Sequence, residues 1–154
     1  MLKITAADIS ACIKRFAQTY AAFLHPLCDK YGLAQTELDI LLFLANNPGH
    51  DTAKDICSCK NLKPGIVSLY VGRLVNSGYL ERREVPSDRR RTALICTKKA
   101  EDVIARGREY QGIFAARLTE GLEQEDLDRC LRCLDMLDGN LQKIMKDLSI
   151  AKKE

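Results

Sequence analysis

The chain has 154 residues, enough for one domain or a small domain with helical extensions. Its 46% hydrophobic and 29% charged residues are the balance of a folded protein and argue against disorder. No apolar run approaches the roughly 20 residues that span a bilayer, residues 1–5 lack the apolar stretch of a signal peptide, and a net charge of +3 is too small to name a partner. A cytoplasmic protein with no membrane contact is expected.

Residues 5–31 read as one long helix. Ile9, Ile13, Phe16, Tyr20, Phe23 or Leu24, Leu27 and Tyr31 recur by threes and fours, a stripe that a lone helix cannot bury. Pro26 predicts a kink or break near 23–27, and Gly32 ends the helix. A second helix covers 33–47, and its run Leu38-Asp39-Ile40-Leu41-Leu42-Phe43-Leu44 is apolar nearly all round, which marks it as core. After turn chemistry at 46–51, Thr52 with Asp55 three residues on makes an approximate capping box for a short helix to about Lys60. Asn61-Leu62-Lys63 leads tightly into a further helix, where Pro64 suits the first position. Its apolar face is read as Leu62, Ile66, Leu69 or Tyr70, and Leu74, and Asn76-Ser77-Gly78 stops it. Two short helices joined in this way are a helix-turn-helix.

Two extended runs, 79–85 and 92–96, flank Pro86-Ser87-Asp88-Arg89-Arg90-Arg91, so a hairpin with a cationic loop at its tip follows. A helix sized for the major groove beside an arginine-tipped ribbon predicts a winged helix-turn-helix. Arg82, Arg83, Arg89, Arg90 and Arg91 crowd into this hairpin, with Lys60, Lys63 and Arg73 near in sequence, while acidic residues gather at 120–128. A local basic patch on a near-neutral chain points to a polyanion bound at one place, with a merely solvated charged hairpin as the alternative from charge alone; beside the winged helix-turn-helix pattern the polyanion is double-stranded DNA. Thr97 is expected to cap a helix over 98–118, which Gly107 and Gly112 each weaken by about 1 kcal/mol relative to alanine. After a break at 119–121, residues 123–149 form the last helix, with Leu127, Leu131, Leu134, Leu137, Leu141, Ile144 and Leu148 at near-heptad spacing.

Apolar-striped helices at both ends predict pairing across a two-fold axis, a homodimer with two heads one helical turn of DNA apart, in preference to an intramolecular helix pair closing a monomer. The fold class is mainly α with a small β-hairpin. The winged helix-turn-helix and a linking helix occupy 33–118, and helical dimerisation regions lie at 1–32 and 119–154.

The order of elements, the Gly78-Tyr79-Leu80 lead into the hairpin and the wing Pro86-Ser87-Asp88-Arg89-Arg90 resemble the MarR (multiple antibiotic resistance regulator) transcription factors. The resemblance covers nearly the whole chain and is sharpest over 33–97. It implies an obligate dimer on a pseudo-palindromic operator. In many members a small anionic or phenolic effector releases the DNA; others respond to thiol oxidation or a metal. The family's Asp-x-Arg wing pattern falls on Asp88 and Arg90. The chain departs from the family at Cys96-Thr97-Lys98-Lys99-Ala100, where Leu-Thr-x-x-Gly is usual, and at Ala34, where a capping Thr is usual. It also departs at Leu69, where an Arg often follows the mid-helix Ser or Thr, which leaves the sequence preference open.

Base contacts are expected from the N-terminal part of the recognition helix: Lys63, Gly65, Ser68 and Tyr70, with Val67 against a thymine methyl. Gly65 lets the backbone approach closely, and Arg73 meets the DNA backbone or pairs internally. The resemblance nominates Arg90 for a narrow minor groove, with Asp88 holding the loop or orienting an arginine, and Arg89 and Arg91 as phosphate contacts. The same Asp88–Arg90 pair also fits a wing-shaping salt bridge. By family analogy an effector pocket lies where the first helix, the second helix and the start of the post-wing helix meet, with Tyr20, His25, Phe43 and Arg106 as its lining.

Seven cysteines in a cytosolic chain are read as reduced thiols. Cys12, Cys28, Cys57, Cys96 and Cys130 are assigned to helix packing, and Cys59 and Cys133 to the surface. Cys57 and Cys59 point about 200° apart on a helix, so they cannot share a disulfide or metal. Cys130 and Cys133 have C-x-x-C spacing without the βαβ context of a thioredoxin site. No cofactor, metal site or nucleophile–base–orienter set is read, so an enzyme is not expected. The leading reading is a dimeric repressor released by a small molecule or by thiol oxidation. The alternative is a winged-helix redox sensor or protein-interaction module without a dedicated inducer.

Overall fold

The computed structural model describes residues 5–86 and 88–151, and of 89, 90 and 149–151 the backbone only. The described elements are α1 (Ala6–Tyr31), α2 (Gln35–Asn46), α3 (Ala53–Lys60), α4 (Pro64–Asn76), β1 (Leu80–Val85), β2 (Asp88–Cys96), a 3-10 turn (Lys98–Ala100), α5 (Glu101–Leu118) and α6 (Gln124–Ala151). This is a mainly helical chain with one small antiparallel sheet, the winged-helix arrangement that the sequence predicts. None of the described helices is long and apolar enough to cross a membrane.

Side-chain caps set the helix starts. Thr5 N–H donates to Asp8 Oδ2 at 2.9 Å while Asp8 N–H donates to Thr5 Oγ1 at 3.2 Å, a reciprocal box at the head of α1. The same box joins Thr52 and Asp55 at α3, at 2.9 and 3.2 Å. Both carboxyls sit below their ordinary pKa, because the threonine hydroxyl and backbone N–H hydrogen-bond the charged form. At α2 the position before the helix is Ala34, and the nearly buried Glu37 carboxylate instead takes the Ala34 N–H at 2.7 Å. Of the kink or break expected near Pro26, the break does not occur. Helix α1 runs through, with Leu24, Leu27 and Cys28 buried on both sides of the proline, and stops at Gly32 with φ 63°. Tertiary packing here outweighs the one hydrogen bond that proline removes.

The chain divides into two compact units, residues 1–114 and 115–154. The core belongs to the first. Leu24, Leu38, Ile40, Leu41, Ile56, Leu74, Leu80 and Val103 are fully buried there, each contributing about 1.5–3 kcal/mol by leaving water. The Phe114 ring on α5 meets Tyr20, Phe23 and Phe16 of α1 edge-on or tilted, with centroids 5.2, 5.5 and 5.6 Å apart. Tyr31 donates to Asp102, a second tie from α1 to α5. Towards the start of α1 the stripe is less covered: Ile9 and Ile13 are exposed, and Phe16 stays 47% exposed despite its contact with Phe114.

In the second unit α6 exposes its apolar stripe. Leu131, Leu134, Leu137, Leu141, Ile144 and Leu148 are each more than half exposed. Its polar face carries local pairs such as Arg129 with Glu125, and Gln142 with Asp138 at 2.6 Å.

Thr97 does not cap the helix that follows. Its hydroxyl donates to Gly78 O at 2.6 Å, and Lys99 Nζ donates to Ser77 O at 2.8 Å. Both bonds pin the segment that follows β2 to the carbonyls of the turn just beyond α4.

Candidate nucleic-acid interface

Helices α3 and α4 meet through Asn61, which takes a left-handed conformation at φ 50°, and Leu62 N–H returns to Cys57 O at 3.1 Å. Asparagine is among the few residues that adopt this conformation readily. Pro64 opens α4, no side chain caps its N-terminus, and its first turn holds no acidic residue. That end carries the positive pole of the helix and free N–H groups, which favours phosphate.

The inward face of α4 is Val67, Val71 and Leu74. Val67 is 0% exposed, whereas Ile66 is 41% and Leu69 49% exposed. Of the expected apolar face, Leu74 is buried and Leu62 and Tyr70 pack against the core, but Ile66 and Leu69 face outward, and Val67 and Val71 take the inward places. Val67 is not available to a thymine methyl, since it is sealed in the core. Lys63, Gly65 and Ser68 are exposed as required, Tyr70 is half-buried, and Arg73 is exposed with its guanidinium 5.5 Å from the Tyr70 ring.

Beside this helix stands the hairpin, with Leu80 opposite Cys96, Arg82 opposite Leu94 and Glu84 opposite Thr92. The pairing then jumps to Val85 with Asp88. This irregularity draws residues 89–91 into β2, so the expected cationic loop over 86–91 is in fact mostly strand. The expected roles of the Arg89 and Arg90 side chains, and the Asp88–Arg90 pairing, lie outside the described residues. Asp88 is exposed. Arg91, expected on a phosphate, places Nη2 2.7 Å from Asp51 Oδ1.

Between α3, α4 and the hairpin lies an open hollow of about 460 Å³. It brings Ser68 together with Lys54 and Arg82, two cations the sequence reading did not assign to the site. Arg82 was legible only as part of a charge cluster. Lys54 stands two residues past the Thr52 cap, outside the helix that motif logic singles out.

The expected effector residues separate. Tyr20 and Phe43 line a polar hollow of about 110 Å³ with Asn46 and Gln111, where Gln111 Nε2 donates to the Tyr20 hydroxyl at 2.8 Å. Burial raises the Tyr20 phenol above its ordinary pKa. His25 and Arg106 are not part of that lining. His25 Nδ1 is 3.0 Å from Asp29 on the surface of α1, and Arg106 is paired with Glu109 at 2.9 Å on the surface of α5. His25 lies five residues beyond Tyr20, about 140° round the helix.

Among the cysteines, Cys28 is buried and Cys57 and Cys96 are half-buried, with burial raising the thiol pKa of Cys28 and Cys96. Cys59 and Cys133 are exposed as expected, but so are Cys12 and Cys130, which packing was expected to cover. Both sit on the helix stretches whose apolar neighbours are also exposed. No cluster of three or more potential metal ligands occurs among the described residues.

Residues 31–91 match the MarR family. No curated protein matches the chain. Among solved structures it is similar to the transcription regulator MarR from Oenococcus oeni PSU-1, at 21% identity and a TM-score of 0.71, covering 86% of this chain and 99% of that one. A MarR transcriptional regulator from Methanosarcina mazei Go1 aligns at 17% identity and a TM-score of 0.74, covering 88% and 97%. A MarR protein from Peptoclostridium difficile aligns at 14% identity and a TM-score of 0.77, covering 93% of each chain. Likeness at such identities is likeness of fold. What the comparisons establish is a match to the MarR family over residues 31–91 and, over most of the chain, the winged-helix fold seen in solved MarR transcriptional regulators.

Proposed function

We propose that the chain is a dimeric, sequence-specific DNA-binding transcriptional regulator, acting as a repressor on a pseudo-palindromic operator. The observation that carries this reading is the outward face of α4. Lys63, Gly65, Ile66, Ser68 and Leu69 stand exposed beside a hollow that adds Lys54 and Arg82. Cations there would neutralise phosphates, while Ser68 reads a base edge. With Val67 buried, Ile66 and Leu69 are the apolar side chains free to meet thymine methyls. Arg90 enters the minor groove from the wing, with Arg89 on phosphate and Asp88 orienting an arginine.

The uncovered leucines of α6, and separately the uncovered start of α1, support a dimer, since an exposed apolar stripe of this kind is normally buried in a partner. Two heads related by a two-fold axis would read two half-sites. Release follows when a small anionic or phenolic effector, or oxidation of an exposed cysteine, changes the distance between the heads. The hollow beside Tyr20 and Phe43 supports the first route, and the exposure of Cys12, Cys59, Cys130 and Cys133 the second.

The test is selection of genomic fragments by the purified chain, followed by anisotropy titration at several salt concentrations. A steep loss of affinity with salt is expected. Arg90→Ala should weaken binding about tenfold or more, the cost of a lost groove contact, with little change in melting temperature. A flat salt response overturns the reading.

A further inference from the structure

Arg91 stands among acids. Its Nη2 donates to Asp51 Oδ1 at 2.7 Å across 40 residues of sequence. Asp55 and Asp88 add negative potential, and the guanidinium pKa is raised above the ordinary arginine value, chiefly by the Asp51 hydrogen bond. Three carboxylates around one guanidinium make a poor landing place for a phosphate. The main chain repeats the link, because Leu94 N–H donates to Asp51 O at 2.7 Å. One residue of the turn before α3 thus grips β2 at two points, by its side chain at 91 and its carbonyl at 94.

The grip has a rigid base. Asp51 immediately precedes Thr52, whose capping box with Asp55 fixes the start of α3. Helix α3 in turn packs on α4 through the buried Ile56, Val67 and Val71. A two-stranded ribbon is marginal when it stands alone, so its direction depends on such outside ties. The pairing irregularity at Glu84 and Val85 loosens the distal ribbon further.

We propose that Asp51 and Arg91 form a latch that sets the wing relative to the recognition helix, so that Arg91 is a positioning residue for DNA recognition and not a phosphate ligand. The latch rests on the DNA-binding reading for its function, though not for its existence. A partly exposed ion pair contributes little to global stability. Its effect is therefore felt where the ribbon points.

The experiment compares Asp51→Ala, Arg91→Ala, the double alanine variant and the charge swap Asp51→Arg with Arg91→Asp, all in the full chain on a DNA fragment that the wild type selects. Each single alanine should weaken binding by a few-fold to about tenfold, the double variant should be no worse than either, and the swap should recover most of the loss. The slope of log affinity against log salt should match wild type in every variant, because no phosphate contact has been removed. Should Asp51→Ala bind as well as or better than wild type while Arg91→Ala lowers that slope by about one, Arg91 is a phosphate ligand and the latch is wrong. Hydrogen exchange of the free protein reads the same pair without DNA. Faster exchange of the β2 amides in Asp51→Ala supports the latch, and unchanged exchange overturns it. Failure of the wild type to bind any fragment, with the exchange effect present, would count against the DNA-binding reading alone.

Discussion

Gly107 on α5 faces Leu42 on α2 so closely that a Cβ added to the glycine would lie 2.5 Å from Leu42 Cδ2 and 3.0 Å from Cδ1. Leu42 is buried, so it has nowhere to retreat without disturbing its neighbours. Gly107→Ala should therefore destabilise the protein by about 1–3 kcal/mol, the range for overpacking, despite the gain of about 1 kcal/mol in helix propensity. Gly112, one and a half turns on, has open space at the same position. Gly112→Ala should stabilise by up to about 1 kcal/mol. Urea melts of the two variants check the contrast; equal effects would mean that the α2–α5 contact is looser than described.

Val67 and its neighbours separate stability from recognition. Val67→Ala should cost about 2 kcal/mol in thermal or urea unfolding, as burial of a valine side chain implies. Lys63→Ala and Ser68→Ala should stay within about 0.5 kcal/mol of wild type in stability, and each should weaken operator binding. A Val67→Ala variant that melts like wild type would put that side chain outside the core.

Asp39 gives the pH prediction. Burial raises its carboxyl above the ordinary pKa, against the opposing pull of Lys60 and a Gln35 hydrogen bond at 3.0 Å. A carboxyl raised in the folded state holds its proton more tightly there than in the unfolded chain. Its contribution is therefore a penalty, absent below the ordinary pKa of about 3.9 and growing as pH rises through the folded value. The capping carboxyls Asp8 and Asp55 act in the opposite sense, and their support is lost as pH falls through their lowered values. Asp39→Asn keeps an acceptor for Gln35 and removes the penalty. Its melting temperature should exceed wild type at pH 7 and match it near pH 3.5. A gap of the same size at both pH values would show that titration of Asp39 is not the cause.

Helix α6 tests the dimer. Leu134→Glu combined with Leu137→Glu places two charges in the uncovered stripe. Sedimentation at micromolar concentration should show a dimer for the wild type and a monomer for the variant, with far-ultraviolet helicity largely kept. A variant that still dimerises would move the interface away from α6.

The sequence spoke clearly where the signal was short-ranged. Pro64 at the head of α4, the Thr52–Asp55 box and Gly78 at φ 77° after α4 each follow from chemistry within a few residues. It was ambiguous where composition erased the pattern. Helix α4 carries Ile66, Val67, Leu69, Val71, Leu74 and Val75, so apolar spacing alone fits more than one inward face, and only packing against Ile56 and Leu80 selects Val67. It was silent about partners far away in the chain. Nothing local to Arg91 announces Asp51, nothing local to Gly107 announces Leu42, and nothing near Thr97 announces that its hydroxyl turns back to Gly78. Local chemistry assigns Thr97 and Gly107 only a cap and a helix-weakening role, and the fold uses both for tertiary closeness.

The two faces of α4 answer to different demands. Val67, Val71 and Leu74 hold the protein together, while Lys63, Ile66, Ser68 and Leu69 contribute little to that task. Single exchanges on the outer face can therefore accumulate without passing through an unfolded ancestor. On the proposed reading, a descendant gene can acquire a new target site while its product stays as robust as before, so regulatory wiring in such a lineage is free to diverge faster than the scaffold that carries it.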